Sequence, residues 1–147
     1  MIENLISEVH NKFKLNIYET FFENNDEEVN LTTIEAICLE IIKILGKPTI
    51  SELTEFMKVS QPNMTYRVSS LVDKGYLVKK QSTEDKREYF LELTDKFWEY
   101  DRMKQNYIYE VAERMRERFS EEDLQSTINV LEVTSRELMY EIDKYIK

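Results

Sequence analysis

Two short clusters hold the side chains whose types and spacing can do chemistry: Gln61, Asn63, Tyr66, Arg67 and Ser70, and Asp85, Lys86 and Arg87. If residues 61–73 are helical, Met64, Val68, Leu71 and Val72 share one inward face and the first cluster stands outward. Such a row suits the reading of polar edges. Asn and Gln can hydrogen-bond adenine bidentately, Arg can do the same to guanine, and a Tyr ring can pack on a thymine methyl or reach a phosphate. In the second cluster, a guanidinium on a narrow tip suits the negative potential of an A·T-rich minor groove, and Asp85 can hold the stem of Arg87 through an ion pair. The plainer alternatives are a solvated helix face and an ordinary surface ion pair.

Catalytic chemistry has little to work with. The chain has one His, His10, and one Cys, Cys38, with no metal-ligand spacing, Gly-rich phosphate loop or nucleophile elbow. No catalytic residue, metal site, cofactor or enzymatic activity is expected. Cys38 reads as an inert buried thiol and His10 as a surface or interface residue. The paired acids Glu27-Glu28 and Glu121-Glu122 read as solvated or helix-start charges.

The elements that must position the clusters are marked by backbone punctuation. Gly46, Pro48, Pro62 and Gly75 all fall in one window of a 147-residue chain. Gly46 follows the apolar run Ile41, Ile42, Ile44, Leu45, and Gly75 follows Leu71 and Val72, where each can release a helix's last carbonyls. Thr49-Ile-Ser-Glu52 has capping-box spacing, and Ser60-Gln61-Pro62 offers a hydroxyl N-cap with proline in the first turn. Lys58-Val59-Ser60 leaves room only for a sharp corner, so the window reads as a helix-turn-helix. After Gly75, residues 76–82 and 88–94 are rich in β-branched and aromatic types and can pair as a hairpin, a wing with the polar tip 83–87. Tyr89, Leu91 and Leu93 fall on one face.

Long helices flank this window. Ile2, Leu5, Ile6, Val9, Phe13, Ile17 and Phe21 form one apolar stripe, ended by Asn24-Asn25-Asp26. Thr32 and Glu35 start the next helix, which runs through Ile37, Ile41, Ile44 and Leu45. Thr94 caps a helix expected to last to about Phe119, and Ser120 restarts one carrying Leu124, Ile128, Leu131, Leu138, Ile142 and Ile146. These stripes are too long for the small winged core to cover, so a homodimer is expected, with a monomeric bundle as the alternative.

Charge is segregated. Residues 43–90 hold nine Lys or Arg against six Asp or Glu, a local +3, so the remainder carries −12 of the net −9. Phosphates feel the field within about 8 Å at physiological salt, so an acidic chain can still present a binding patch. A single Cys excludes an intrachain disulfide and fits a reducing compartment. Residues 1–22 have charges between their apolar positions, which argues against a signal peptide or membrane span. The expectation is a soluble, cytoplasmic protein without a membrane partner.

The ordered combination of Leu31-Thr32, Thr49 to Leu53, Ser60 to Thr65, Leu71 to Val78, Asp85-Lys86-Arg87 and Leu93-Thr94 resembles the MarR family of winged-helix transcriptional regulators. The resemblance covers nearly the whole chain. It implies a dimer whose first, fifth and sixth helices interlock, with the fourth helix in the major groove and the wing tip at the minor groove. Ser60, Gln61, Asn63, Thr65, Tyr66, Arg67, Ser70, Lys86 and Arg87 are then the DNA-binding residues and Asp85 the wing support. Two departures stand out. Asp95-Lys96-Phe97 replaces the family's common glycine after Leu-Thr, implying a more rigid start to the fifth helix, and Tyr66-Arg67 replaces a basic residue followed by an aliphatic one.

The fold class expected is mainly α with a small β-hairpin (α+β), a winged helix-turn-helix with long N- and C-terminal dimerisation helices. Residues 1–147 read as one domain, with a DNA-binding lobe at 32–94 and dimerisation helices at 1–23 and 95–147. The function expected is a homodimeric repressor on a pseudo-palindromic duplex operator, released by a small apolar or aromatic effector. Phe13, Ile17, Ile37 and Tyr107 are the candidate ligand-pocket residues and serve equally well as core. Two other classes stay open: a protein–protein interaction module, supported by the −12 outside the window, and a small-molecule receptor without strong DNA binding.

Overall fold

The computed structural model describes residues 1–23, 29–104 and 106–147. Helix α1 spans Ile2–Phe22. The expected stop at Asn24-Asn25-Asp26 and the pair Glu27-Glu28 lie outside the described residues. Helix α2, Thr33–Leu45, is closed at its start by a full capping box: Glu35 N donates to Thr32 Oγ1 at 3.2 Å and Thr32 N to Glu35 Oε2 at 3.0 Å. Helix α3, Ile50–Met57, has the same device between Thr49 and Glu52. Helix α4, Gln61–Asp73, starts on the Ser60 hydroxyl with Pro62 in its first turn. Each box satisfies two backbone donors that a helix start would otherwise leave orphaned.

The corner between α3 and α4 turns on Lys58, left-handed at φ 52°. Gly46 and Gly75 end α2 and α4 with φ of 69° and 85°. Strands β1, Leu77–Gln81, and β2, Tyr89–Leu93, pair antiparallel with Lys79 opposite Leu91. Leu91 is buried, Leu93 half-buried and Tyr89 exposed at the tip end of the wing. One tie the sequence did not suggest joins the hairpin to the start of α3. Thr49 bridges Phe90, and Leu91 N donates to Pro48 O at 2.8 Å.

Helix α5 is Asp95–Met103, α6 Tyr107–Arg118 and α7 Glu121–Val133; a π-helical turn at Thr134–Leu138 and a short α8, Tyr140–Asp143, follow. This corrects two expectations. The helix from Thr94 does not reach Phe119, because Lys104 is extended (φ −68°, ψ 116°) and α6 starts afresh. Burial supplies a reason: the Lys104 ammonium lies 4.2 Å from the Tyr100 ring centroid and 3.8 Å from Glu40 Oε2, and this anchorage holds the end of α5 against α2. The helix from Ser120 loses α geometry after Val133 and is broken at Met139, so it does not run to Ile146.

Two compact units emerge: Thr20–Lys104 with Ile146–Lys147, and Met1–Glu19 with Gln105–Tyr145. The core of the first contains Leu39, Ile42, Leu53, Met64, Val68, Leu71, Tyr76, Leu77, Leu91, Phe97 and Tyr100, each large aliphatic contributing about 1.5–3 kcal/mol. Phe97 and Tyr100 carry that core beyond Thr94, so α5 packs as part of this unit. The inward face of α2 is Ala36, Cys38, Leu39, Ile42 and Leu45, whereas Ile44 is exposed and Ile37 and Ile41 only half-buried. A nearly continuous aliphatic run admits two helical phases, and the packing selects the one that also buries Glu35.

In the other unit, Phe13 meets Tyr107 edge to face at 5.7 Å. Ile2, Leu5, Ile6 and Val9 of α1 and Val130 and Leu131 of α7 are exposed, as is Leu138. Among the described residues, no helix is long and apolar enough to cross a membrane and no group of His, Cys, Asp and Glu could hold a metal ion.

Candidate nucleic-acid interface

Helix α4 is held at both ends. Ser60 Oγ accepts from Asn63 N at 3.3 Å at its start. At its end, Tyr76 N returns to Leu71 O and Gly75 N to Val72 O, an overlapping C-terminal closure of the Schellman type. Met64, Val68 and Leu71 are buried as the spacing predicts. Gln61, Asn63, Thr65 and Tyr66 are exposed, Tyr66 at 76%, and Arg67 is half-buried. Thr65 Oγ1 turns back to Gln61 O at 2.9 Å. Arg67 Nε donates to Asn63 Oδ1 at 2.9 Å, so two residues expected to act singly are joined.

Ser70 is turned differently from the outward placement expected. It is half-buried, and its hydroxyl donates to Glu35 Oε1 at 2.6 Å. Lys74 Nζ donates to Glu35 Oε2 at 2.7 Å, and the Glu35 side chain is only 8% exposed. Burial pushes this carboxyl toward neutrality, but the hydrogen bonds from Lys74, Ser70 and the Thr32 amide together outweigh it, so its pKa falls below the ordinary value. Glu35 therefore caps α2 and clamps the last turns of α4. Its capping role was legible in the sequence; its clamping role was not.

The wing tip is built by short-range bonds. Ser82 is buried, its Oγ accepting from Glu84 N and Asp85 N at 3.2 and 3.3 Å, and Ser82 N closes on Glu88 O at 2.9 Å. Sequence reasoning passed over this serine, although a serine opening a polar turn is the local signature of a side chain that binds the next amides. Asp85 Oδ1 accepts from Arg87 N at 3.0 Å and Nε at 3.1 Å, while Oδ2 accepts from Nη2 at 3.1 Å. The hydrogen bond from the Arg87 side chain, then that from its backbone, holds the Asp85 carboxyl below its ordinary pKa. Both ends of the pair stay charged. Arg87 remains 89% exposed at the tip, and exposed Lys86 has its carbonyl fixed by Gln81 Nε2 at 2.8 Å.

The start of α5 is stitched to the corner before the wing. Lys96 Nζ donates to Lys74 O at 2.6 Å and lies 4.5 Å from the Tyr76 ring centroid, while Thr94 Oγ1 donates to Gly75 O at 2.6 Å. Of the candidate pocket residues, Phe13 and Tyr107 form the ring pair already described, Ile17 is exposed, and Ile37 belongs to the other compact unit. Cys38 is buried with its thiol 3.7 Å from Met57 Sδ, and burial raises its pKa. His10 is exposed on α1.

A capped helix-turn-helix followed by a two-stranded hairpin with a basic tip defines a winged helix-turn-helix protein. The MarR family model matches residues 31–89. A MarR protein from Peptoclostridium difficile is 26% identical, with 96% of this chain and 91% of that one covered and a TM-score of 0.57. A MarR-like transcriptional regulator from Thermotoga maritima is 26% identical over 86% of this chain and 94% of that one, with a TM-score of 0.53. Streptococcus pneumoniae FabT, solved in complex with DNA, is 20% identical over 93% and 94% with a TM-score of 0.59, a likeness of fold. No curated protein sequence matches the chain. The chain is thus similar to the MarR family of winged helix-turn-helix transcriptional regulators, by family model over residues 31–89 and by structure over most of its length.

Proposed function

We propose that this protein binds duplex DNA sequence-specifically as a homodimer on a pseudo-palindromic operator, acting in the cytoplasm as a repressor that a small apolar or aromatic effector releases. The observation that carries DNA binding is the pairing of two preorganised elements in one compact unit. One is a capped α4 with Gln61, Asn63, Tyr66 and Arg67 on its outer side; the other is a wing tip where Asp85 accepts two hydrogen bonds from the Arg87 guanidinium and one from its backbone amide. The helix suits a major groove and the exposed arginine a narrow minor groove. Ser60 and Thr65 line the start of the helix, and Lys86 adds charge beside Arg87. Ser70 drops out of direct contact in this reading and positions α4 through Glu35. No step of this function is catalytic.

The dimer is supported by the exposed apolar rows of α1 and α7, whose burial against a second copy removes them from water. Residues 1–23 and 106–147 supply that surface, and residues 32–94, extended by α5, supply the DNA-binding lobe. The Phe13–Tyr107 pair offers the aromatic surface that suits an effector of that chemistry.

The deciding experiment is a titration against a duplex selected from a random pool, at 50 to 200 mM salt. Log affinity should fall linearly with log salt at about −0.9 per neutralised phosphate, on half-sites about 10 bp apart. An affinity without a salt slope would sink the reading and favour an interaction module. For the effector, aromatic acids and apolar aromatics titrated into the complex should release the DNA, and Tyr107→Ala should blunt that release. Release unchanged by Tyr107→Ala moves the effector elsewhere.

A further inference from the structure

Asn63 and Arg67 stand one turn apart on the outer side of α4, with Arg67 Nε donating to Asn63 Oδ1 at 2.9 Å. Nε–H can only meet an acceptor, so the amide oxygen of Asn63 faces it. Asn63 itself sits on the first turn, its backbone N–H held by Ser60. The partner of Arg67 therefore sits on the capped first turn of the helix.

Two consequences follow for base reading. A guanidinium has two forked edges, one using Nε and one using Nη1 with Nη2. With Nε engaged, the terminal fork is the edge left for a bidentate contact, and it matches O6 and N7 of guanine. Bidentate adenine recognition by Asn needs Oδ1 to accept from N6–H while Nδ2 donates to N7. Here Oδ1 is already directed at Arg67.

We propose that Asn63 is a positioning residue for Arg67 and that the pair reads a single guanine as one unit. This rests on the DNA-binding reading above, and it replaces two independent base contacts with one coupled contact. The side chains lie on the outer surface of α4, so substitutions there leave the core intact, and Asn63→Asp places an added negative charge at a helix N-terminus where it is favourable.

The test selects duplexes from a random pool with the full chain. Asn63→Ala, Asn63→Asp, Arg67→Ala and the double alanine variant are then measured across single-base changes of the selected site. Asn63→Ala and Arg67→Ala should relax preference at the same G·C pair, each by roughly 5- to 150-fold, and the double variant should lose no more than Arg67→Ala alone. Asn63→Asp keeps an oxygen toward Nε while losing the amide donors, so it should retain the guanine preference. The pair is overturned if Asn63→Ala relaxes an A·T position that Arg67→Ala spares, if the losses multiply, or if Asn63→Asp behaves as Asn63→Ala. A parent chain that enriches no sequence overturns the DNA-binding reading itself, an outcome distinct from a parent that enriches a site on which the pair proves independent.

Discussion

Glu35 belongs to two motifs at once. Thr32 and Glu35 are three residues apart, so their capping box was readable from local spacing, but Ser70 and Lys74 lie 35 and 39 residues further on. No periodicity links positions that far apart. The buried carboxylate has its folded pKa depressed below the ordinary 4.5, so its stabilisation is present above that value and is lost as pH falls through the folded value. Glu35→Gln should therefore lose about 1–3 kcal/mol at pH 7, since Lys74 keeps a charge with only a neutral amide beside it. The gap to the parent should narrow steadily below pH 4.5, and urea melts at pH 7 and pH 3.5 measure it. An equal gap at both would assign the loss to shape. Arg87→Ala is a different residue-scale test, because the side chain is exposed and touches no core. It should leave stability unchanged and weaken DNA binding most on A·T-rich flanks. Equal losses on A·T-rich and G·C-rich flanks would count against a groove-width contact.

At the scale of elements, what was legible was what punctuation marks. Thr49, Ser60, Pro62, Gly46 and Gly75 place the ends of α2, α3 and α4 through local chemistry, and the change of period after Gly75 places the hairpin. The break after Met103 was not legible because no Gly or Pro marks it; it depends on Lys104 finding Tyr100 and Glu40, one of them on another helix. The left-handed Lys47 and Lys58 were hidden for the same reason, since neither is a residue type that advertises positive φ. The exit of α7 into a π-helical turn has no local cause that we can name. Gly75 gives the element-scale prediction. A Cβ there would sit 3.5 Å from the Lys96 Cδ, an ordinary contact, so the cost of Gly75→Ala comes from φ of 85°. It should be about 1–2 kcal/mol, seen as a lower denaturation midpoint at unchanged m. No shift in midpoint would mean that the corner relaxes without strain.

The whole molecule combines a window of local charge +3 at residues 43–90 with an acidic remainder and an exposed apolar surface. A window of local charge +3 gains modest affinity from a single half-site, whereas two copies joined in the proposed dimer would engage two half-sites with a raised effective concentration. Leu5 of α1 and Leu131 of α7 are 57% and 60% exposed, so replacing either by Glu leaves the fold of one copy intact while placing charge on the apolar rows. Light scattering of the parent should give a dimer at micromolar concentration, and the Leu5→Glu, Leu131→Glu double variant a monomer with unchanged helical content. On a full operator that variant should bind on the order of 100-fold more weakly than the parent, while the two should differ little on an isolated half-site. A monomeric variant that held the full operator as tightly as the parent would show that one lobe suffices, and would remove the reason for reading these helices as the dimer's.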